Sequence, residues 1–405
     1  MSARLPHWLS VALAGTAALI VVHGIGRFAF TPLVPVMTEQ AGLSLAGAAW
    51  LASANYLAYL LGSLFTFWRH GAEERERWLR RGLWLNVGTT FAMGLIDHFP
   101  SWALLRLVNG FSNGLVFVYA PALVLEVLAR NGRGVWSGLT FTGVGVGICL
   151  SSLAVSLGYA LGLRWDGLWL GLGLLALPLA WWATRTLRLA PAEPTPAGDA
   201  GAPAVRGPLS ADFAWLAAGY TTAGFGYIIS MTFLPVIIAA LPDLDGWVGP
   251  SWLLVGAAAI PSTFLWSWLG QRFGDFPALL AAFAAQAIGV ALPVLWISAA
   301  GTVLGALLLG GTFVGIVQLT MRIARNRWPQ QAGRLIGLLV TLYGIAQMIG
   351  PLVAEWTRRL TGSYTAGLLL ASATLALGML FMRLAWRAQW HPAATAARTS
   401  RTEPT

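Results

Sequence analysis

Two arginines of this 405-residue chain, Arg27 and Arg106, lie inside long apolar stretches where charge is expensive. At the centre of a bilayer-spanning helix an arginine costs about 2.5 to 3.5 kcal/mol on insertion scales, and such residues characteristically face a cavity and a partner. Arg27 is the stronger candidate for chemistry. His23 precedes it by one helical turn, on the same face. A guanidinium stays charged and offers a planar fork that fits a carboxylate. No Asp or Glu stands at mid-span to neutralise it, because Glu126 falls near one end of its span and Glu355 near the end of another. That combination favours an organic anion or zwitterion over a cation, which needs a buried carboxylate. His23, with an unperturbed pKa of about 6.5, is the central group whose charge can switch near neutrality, so protons are the candidate coupling ion. The plainer alternative is that Arg27 ties helices together through carbonyls or an acid. Arg106 lies only a few residues inside the end of its span at Ser101, where it could snorkel or pair with Asp97.

Amides and phenols extend the pattern. Asn109 and Asn113 follow Arg106 on one helical stripe, Asn55 groups with Tyr59, and Tyr343 with Gln347. Bonding between helices is the ordinary use of each such residue, but stripes on the first, fourth and eleventh spans would together line a polar cavity. The candidate substrate-binding set is therefore Arg27, Asn55, Tyr59, Asn113, Tyr227, Tyr343 and Gln347. His23 and Arg106 are coupling or gating candidates.

The elements that must position these groups follow from composition. The chain is 57% hydrophobic and only 10% charged, against about 25% charged in soluble domains. Runs long enough to cross about 30 Å of hydrocarbon cover residues 10–37, 45–68, 82–97, 101–129, 134–161 and 167–184. A second set covers 212–240, 247–270, 276–298, 300–323, 334–357 and 363–386. Between the sets, residues 189–210 are rich in Pro, Ala and Gly and read as a linker. The expected domains are an N-terminal bundle, 1–188, and a C-terminal bundle, 211–387, with a tail from 388 to 405. The net charge of +10 comes from arginine in short loops, with no basic face for nucleic acid. Arg164, Arg358 and Arg359 alone fall on the far side of the spans, and Arg27 and Arg106 within them. This bias puts both termini in the cytoplasm; the expected location is a bacterial inner membrane. Cys149 has no partner for a disulfide or metal.

The two sets repeat each other. Gly24, Gly26 and Pro35 match Gly224, Gly226 and Pro235; Gly110 and Gly114 match Gly311 and Gly315; Gly138, Thr142 and Gly145 match Gly337, Thr341 and Gly344. The offset is about 200 residues throughout. Parallel six-helix repeats place a site near the midplane between them, where rocking can open it to either side in turn. By this repeat Arg27 corresponds to the neutral Tyr227, so the site is lopsided and cationic.

These residues resemble a known family. Gly24-Ile-Gly-Arg-Phe-Ala-Phe-Thr-Pro-Leu-Val-Pro35 and Ala54-Asn-Tyr-Leu-Ala-Tyr-Leu-Leu-Gly62 are similar to the YbfB/YjiJ branch of the major facilitator superfamily. So are Arg106-Leu-Val-Asn-Gly110 and Gly344-Ile-Ala-Gln-Met-Ile-Gly-Pro351, and the likeness covers essentially every span. It implies an all-α integral membrane protein of twelve transmembrane helices in two pseudo-symmetric bundles, transporting a solute by alternating access. It implies no particular substrate. The superfamily's loop motif is altered here to Ser267-Trp-Leu-Gly-Gln-Arg-Phe-Gly-Asp275. Gln271 replaces its acid, Asp275 its last base, and Arg272 remains as a gating candidate. After span two Gly62 survives while Thr66 stands at the acid's position, leaving the five Arg and three Glu of residues 69–81 as a substitute latch.

Rival classes fit less well. The histidines His7, His23, His70, His98 and His391 are scattered, and no nucleophile elbow or zinc spacing supports an embedded enzyme. No cofactor or metal is expected. An exporter of amphiphilic compounds is the alternative within transport, given Phe28, Phe30, Tyr56 and Tyr227. The expected partners are a small-molecule substrate, the lipid bilayer and protons, with no nucleic acid, and the expected state is a monomer.

Overall fold

A computed structural model of the chain describes residues 5–68, 71–133, 136, 138–188 and 210–388. The expected linker lies outside them apart from Ser210, and the tail apart from Ala388. The described chain is helical throughout, with twelve long helices. Those of the first half are α1 (His7–Gln40), α2 (Leu45–Phe65), α3 (Ala72–Ala92), α4 (Phe99–Arg130), α5 (Gly138–Ala160) and α6 (Trp165–Thr186). In the second half they are α7 (Ala211–Ala239), α8 (Val248–Phe273), α9 (Asp275–Leu295), α10 (Ala299–Arg327), α11 (Ala332–Thr361) and α12 (Thr365–Ala388).

Each helix begins and ends for local reasons. Ser44 and Ser298 cap α2 and α10 by accepting from the Gly47 and Gly301 amides at 3.0 Å, an interaction of about 1 kcal/mol. Gly362, with φ of 77°, terminates α11 in a left-handed turn that other residues resist. Sequence pattern misplaces α3. The helix starts ten residues before the apolar run at 82, because Glu76 and Arg80 pair one turn apart at 2.7 Å and Arg75 reaches Glu126 of α4. Its charged opening turns also keep α3 out of the eleven helices that meet the length and hydropathy of a membrane span.

α1 and α7 are the most enclosed helices, whereas α6, α8, α11 and α12 turn much of their surface outward. The outward face carries bare Leu104, Leu157, Leu174, Ile288 and Leu377, as a lipid-facing surface should. The repeat reappears in packing. Gly110 of α4 lies against the Asn55 backbone of α2, and Gly310 of α10 against the Val255 backbone of α8. Packing thus pairs Gly110 with Gly310, one residue before the Gly311 that sequence matching selects.

α1 carries the main departure from regular helix. It is α-helical over His7–Leu19, π-helical over Ile20–Arg27 and α-helical again from Phe30 to Gln40. The Phe28 amide bonds the His23 carbonyl at 2.9 Å, the five-residue step of a π turn. Every residue of this segment is buried.

Candidate functional site

Sequence chemistry and geometry converge on the π-helical segment. Gly24 sits against Gly147 of α5 so closely that a Cβ would overlap its backbone, and Gly26 faces Asn86 of α3. α1 is thereby drawn to the centre of the first bundle. Two carbonyls at the end of the π turn, those of Gly26 and Arg27, accept from Arg106 at 2.9 and 3.5 Å. A third, that of Val22, accepts from the Asn113 amide. Arg106 neither snorkels nor pairs with Asp97; it is 2% exposed and lies 4.6 Å from the centre of the Phe30 ring.

Asn55 likewise points into the first bundle. Its amide donates to the Arg106 carbonyl at 3.0 Å and to Asn109 at 3.3 Å, and Asn109 in turn donates to Thr89 of α3 at 3.0 Å. Asn55 and Asn113 each retain an unbonded carbonyl oxygen.

Arg27 is arranged differently. It is 3% exposed, and its guanidinium carbon lies 4.5 Å from the Tyr59 ring centre, 4.6 Å from Tyr56 and 5.3 Å from Phe28. Cation–π contacts of this kind stabilise a desolvated guanidinium by about 2 kcal/mol. Its Nε and Nη2, the two donors along one edge of the fork, have no hydrogen-bond partner. His23 stacks on Phe117 at 4.2 Å and meets Tyr59 edge-on at 5.7 Å, with Nδ1 unbonded.

The second half supplies the facing wall. Tyr227 lies parallel to Phe313 at 5.7 Å and packs on Tyr343 at 5.8 Å, while its hydroxyl accepts from Gln347. Gln347 keeps an unbonded Oε1 and is buried. Of the residues singled out from sequence, Arg27, His23 and Tyr59 thus meet in one aromatic cluster, and Tyr227, Tyr343 and Gln347 in another. The two clusters touch: Phe28 meets Phe313 and Trp252 edge-on at 6.3 Å. Phe117, Phe313 and Trp252 escaped sequence reasoning. The packing register carries Asn113 onto Phe313, whereas matching Gly114 with Gly315 in the sequence carries it onto Val314, so the repeat as read from the letters did not point to Phe313.

Contacts between the halves surround this site. Thr31 donates to the Met231 carbonyl at 2.6 Å, Tyr56 and Thr232 share a hydrogen bond at 3.0 Å, and Ser152 donates to the Gly249 carbonyl at 3.2 Å. Towards the arginine-rich end, Leu60 of α2 and Phe67 in the turn after it pack on Gly344 and Gly337 of α11. Arg272 lies outside the site, exposed and over Phe273 at 5.6 Å. Asp275 pairs instead with Arg322 of α10.

A helical bundle of two halves with a polar-aromatic centre between them is a fold that solved transporter structures share. The crystal structure of nucleoside transporter NupG, in a mutant form, superposes with a TM-score of 0.74 at 12% identity, covering 94% of this chain and 100% of that one. A D-xylose-proton symporter superposes at 0.70 and 14% identity, covering 93% and 97%. No curated protein sequence matches the chain significantly. Residues 19–383 match the family described as uncharacterised MFS-type transporter YbfB. The chain belongs to that family, as its sequence motifs implied.

Proposed function

We propose that this transporter moves a small organic anion or zwitterion across a bacterial inner membrane by alternating access, with Arg27 as the anion-binding group. The observation that carries the reading is the buried, unbonded Nε–Nη2 edge of Arg27 at the contact between the halves. A buried polar group left unsatisfied costs about 1 to 3 kcal/mol, and more when charged. A carboxylate docking on that edge with two parallel bonds removes the cost, whereas an uncharged amphiphile leaves it in place and a cation raises it. Tyr59, Tyr227, Tyr343 and Gln347 line the same centre, with Gln347 Oε1 able to accept a donor from the solute. Asn55 and Asn113 direct their amide groups to partners within the first bundle and keep their carbonyl oxygens unbonded, as acceptors. His23 is the proton-carrying group in this reading. Its free Nδ1 lies beside the guanidinium's aromatic sleeve, where an arriving anion favours protonation.

Thermal unfolding of the purified protein against a panel of small acids and amines tests the assignment. A ligand at 100 times its Kd stabilises the folded state by about 2.7 kcal/mol. Acids should raise the melting temperature of the wild type and fail to do so for Arg27→Ala. Stabilisation by amines alone would contradict an anion site.

A further inference from the structure

The side chains packed about Arg27 are rings, and that narrows the solute. Phe28, Tyr56 and Tyr59 lie within 4.5 to 5.3 Å of the guanidinium carbon, and the buried in-plane Nε–Nη2 edge has no hydrogen-bond partner. A carboxylate bound to that edge lies in the guanidinium plane. When the carboxylate is attached directly to an aromatic ring, conjugation keeps the ring close to that plane, and the side chains nearest the guanidinium are themselves aromatic. Across the halves the facing surface is again aromatic: Phe313 and Tyr227 lie within 7° of parallel, and Tyr343 continues the series onto Tyr220 at 4.4 Å. Trp252 adds a buried indole whose Nε1 has no partner. Offset and edge-on ring pairs contribute about 0.5 to 1.5 kcal/mol beyond the area they bury. An aliphatic acid of equal size gains the area without that increment.

We propose that the solute is a small aromatic carboxylate, its carboxylate on the Nε–Nη2 edge of Arg27 and its ring among Phe28, Tyr56, Tyr59, Tyr227 and Phe313. The assignment rests on the anion reading above and adds the ring to it.

Five probes separate the two claims: benzoate, cyclohexanecarboxylate, acetate, benzyl alcohol and benzylamine, titrated against the melting temperature of the full-length protein in detergent. Benzoate should half-saturate at a concentration about 5-fold below cyclohexanecarboxylate, the factor expected from one ring pair. Acetate should bind more weakly than either. Phe313→Leu should bring the ratio of the two ring acids towards one while cyclohexanecarboxylate still stabilises, which also shows that the variant is folded. Equal or better binding of cyclohexanecarboxylate by the wild type would overturn the aromatic assignment and leave the anion site standing. Benzyl alcohol or benzylamine matching benzoate would overturn both claims, as would the absence of stabilisation by any acid.

Discussion

At the scale of single residues, the two buried arginines differ in what they satisfy. Arg106 spends two donors on carbonyls that the π turn of α1 leaves open, so its charge is used to shape backbone. Arg27 rests among rings that stabilise its charge without consuming its Nε–Nη2 edge. The sequence singled out both side chains correctly as unusual, since apolar flanks are visible in a string of letters. What it could not show was the direction of each guanidinium, because Arg106 is aimed by the carbonyls of another helix. The same applies to Asn55, bonded to the Arg106 carbonyl and the Asn109 side chain of α4, and to Asn113, bonded to the Val22 carbonyl of α1. His23 makes a prediction of its own. If it carries the coupled proton, His23→Gln should slow proton-linked transport in reconstituted vesicles by at least about 10-fold, the scale on which loss of a positioned proton-transfer group is felt, while acid binding persists. Unchanged proton flux in that variant would remove His23 from the mechanism.

At the scale of elements, most helix boundaries were legible because apolar length is dictated by the bilayer, and α4, α5 and α10 begin and end within about four residues of their apolar runs. α3 was not, since ion pairs rather than apolar residues extend its first turns beyond the hydrophobic run. Nor was the π turn, whose letters read as continuous helix; it coincides with a close approach of α1 to α5 at Gly24 and Gly147. Inserting a methyl group there forces backbones apart, which costs about 1 to 3 kcal/mol in a packed core. Gly24→Ala should accordingly lower the melting temperature. Gly88→Ala, where nothing lies within 4 Å of the added Cβ, should leave it unchanged or slightly raised through the gain in helix propensity. Equal melting temperatures for the two variants would mean that the approach of α1 to α5 is not what holds the site segment.

At the scale of the whole molecule, the repeat governs both packing and charge. In the first half a basic residue of the third helix pairs with an acid of the fourth, Arg75 with Glu126; in the second half the equivalent helices carry the reverse, Asp275 with Arg322. Each of these ion pairs lies within one bundle, while Thr31 with Met231, Tyr56 with Thr232 and Ser152 with Gly249 join the two bundles. Rocking requires those contacts to break in turn. At Ser156 of α5 and Gly249 of α8 the serine Cβ lies 3.6 Å from the position a Cβ would take on the glycine, close to the usual separation in a disulfide. The most direct measurement is exchange of a labelled, stabilising carboxylate across vesicles containing Ser156→Cys and Gly249→Cys in a Cys149→Ser background. Exchange should stop when the bridge is oxidised and return on reduction, with bridge formation verified by mass. Undiminished exchange through bundles locked together would contradict alternating access between these halves.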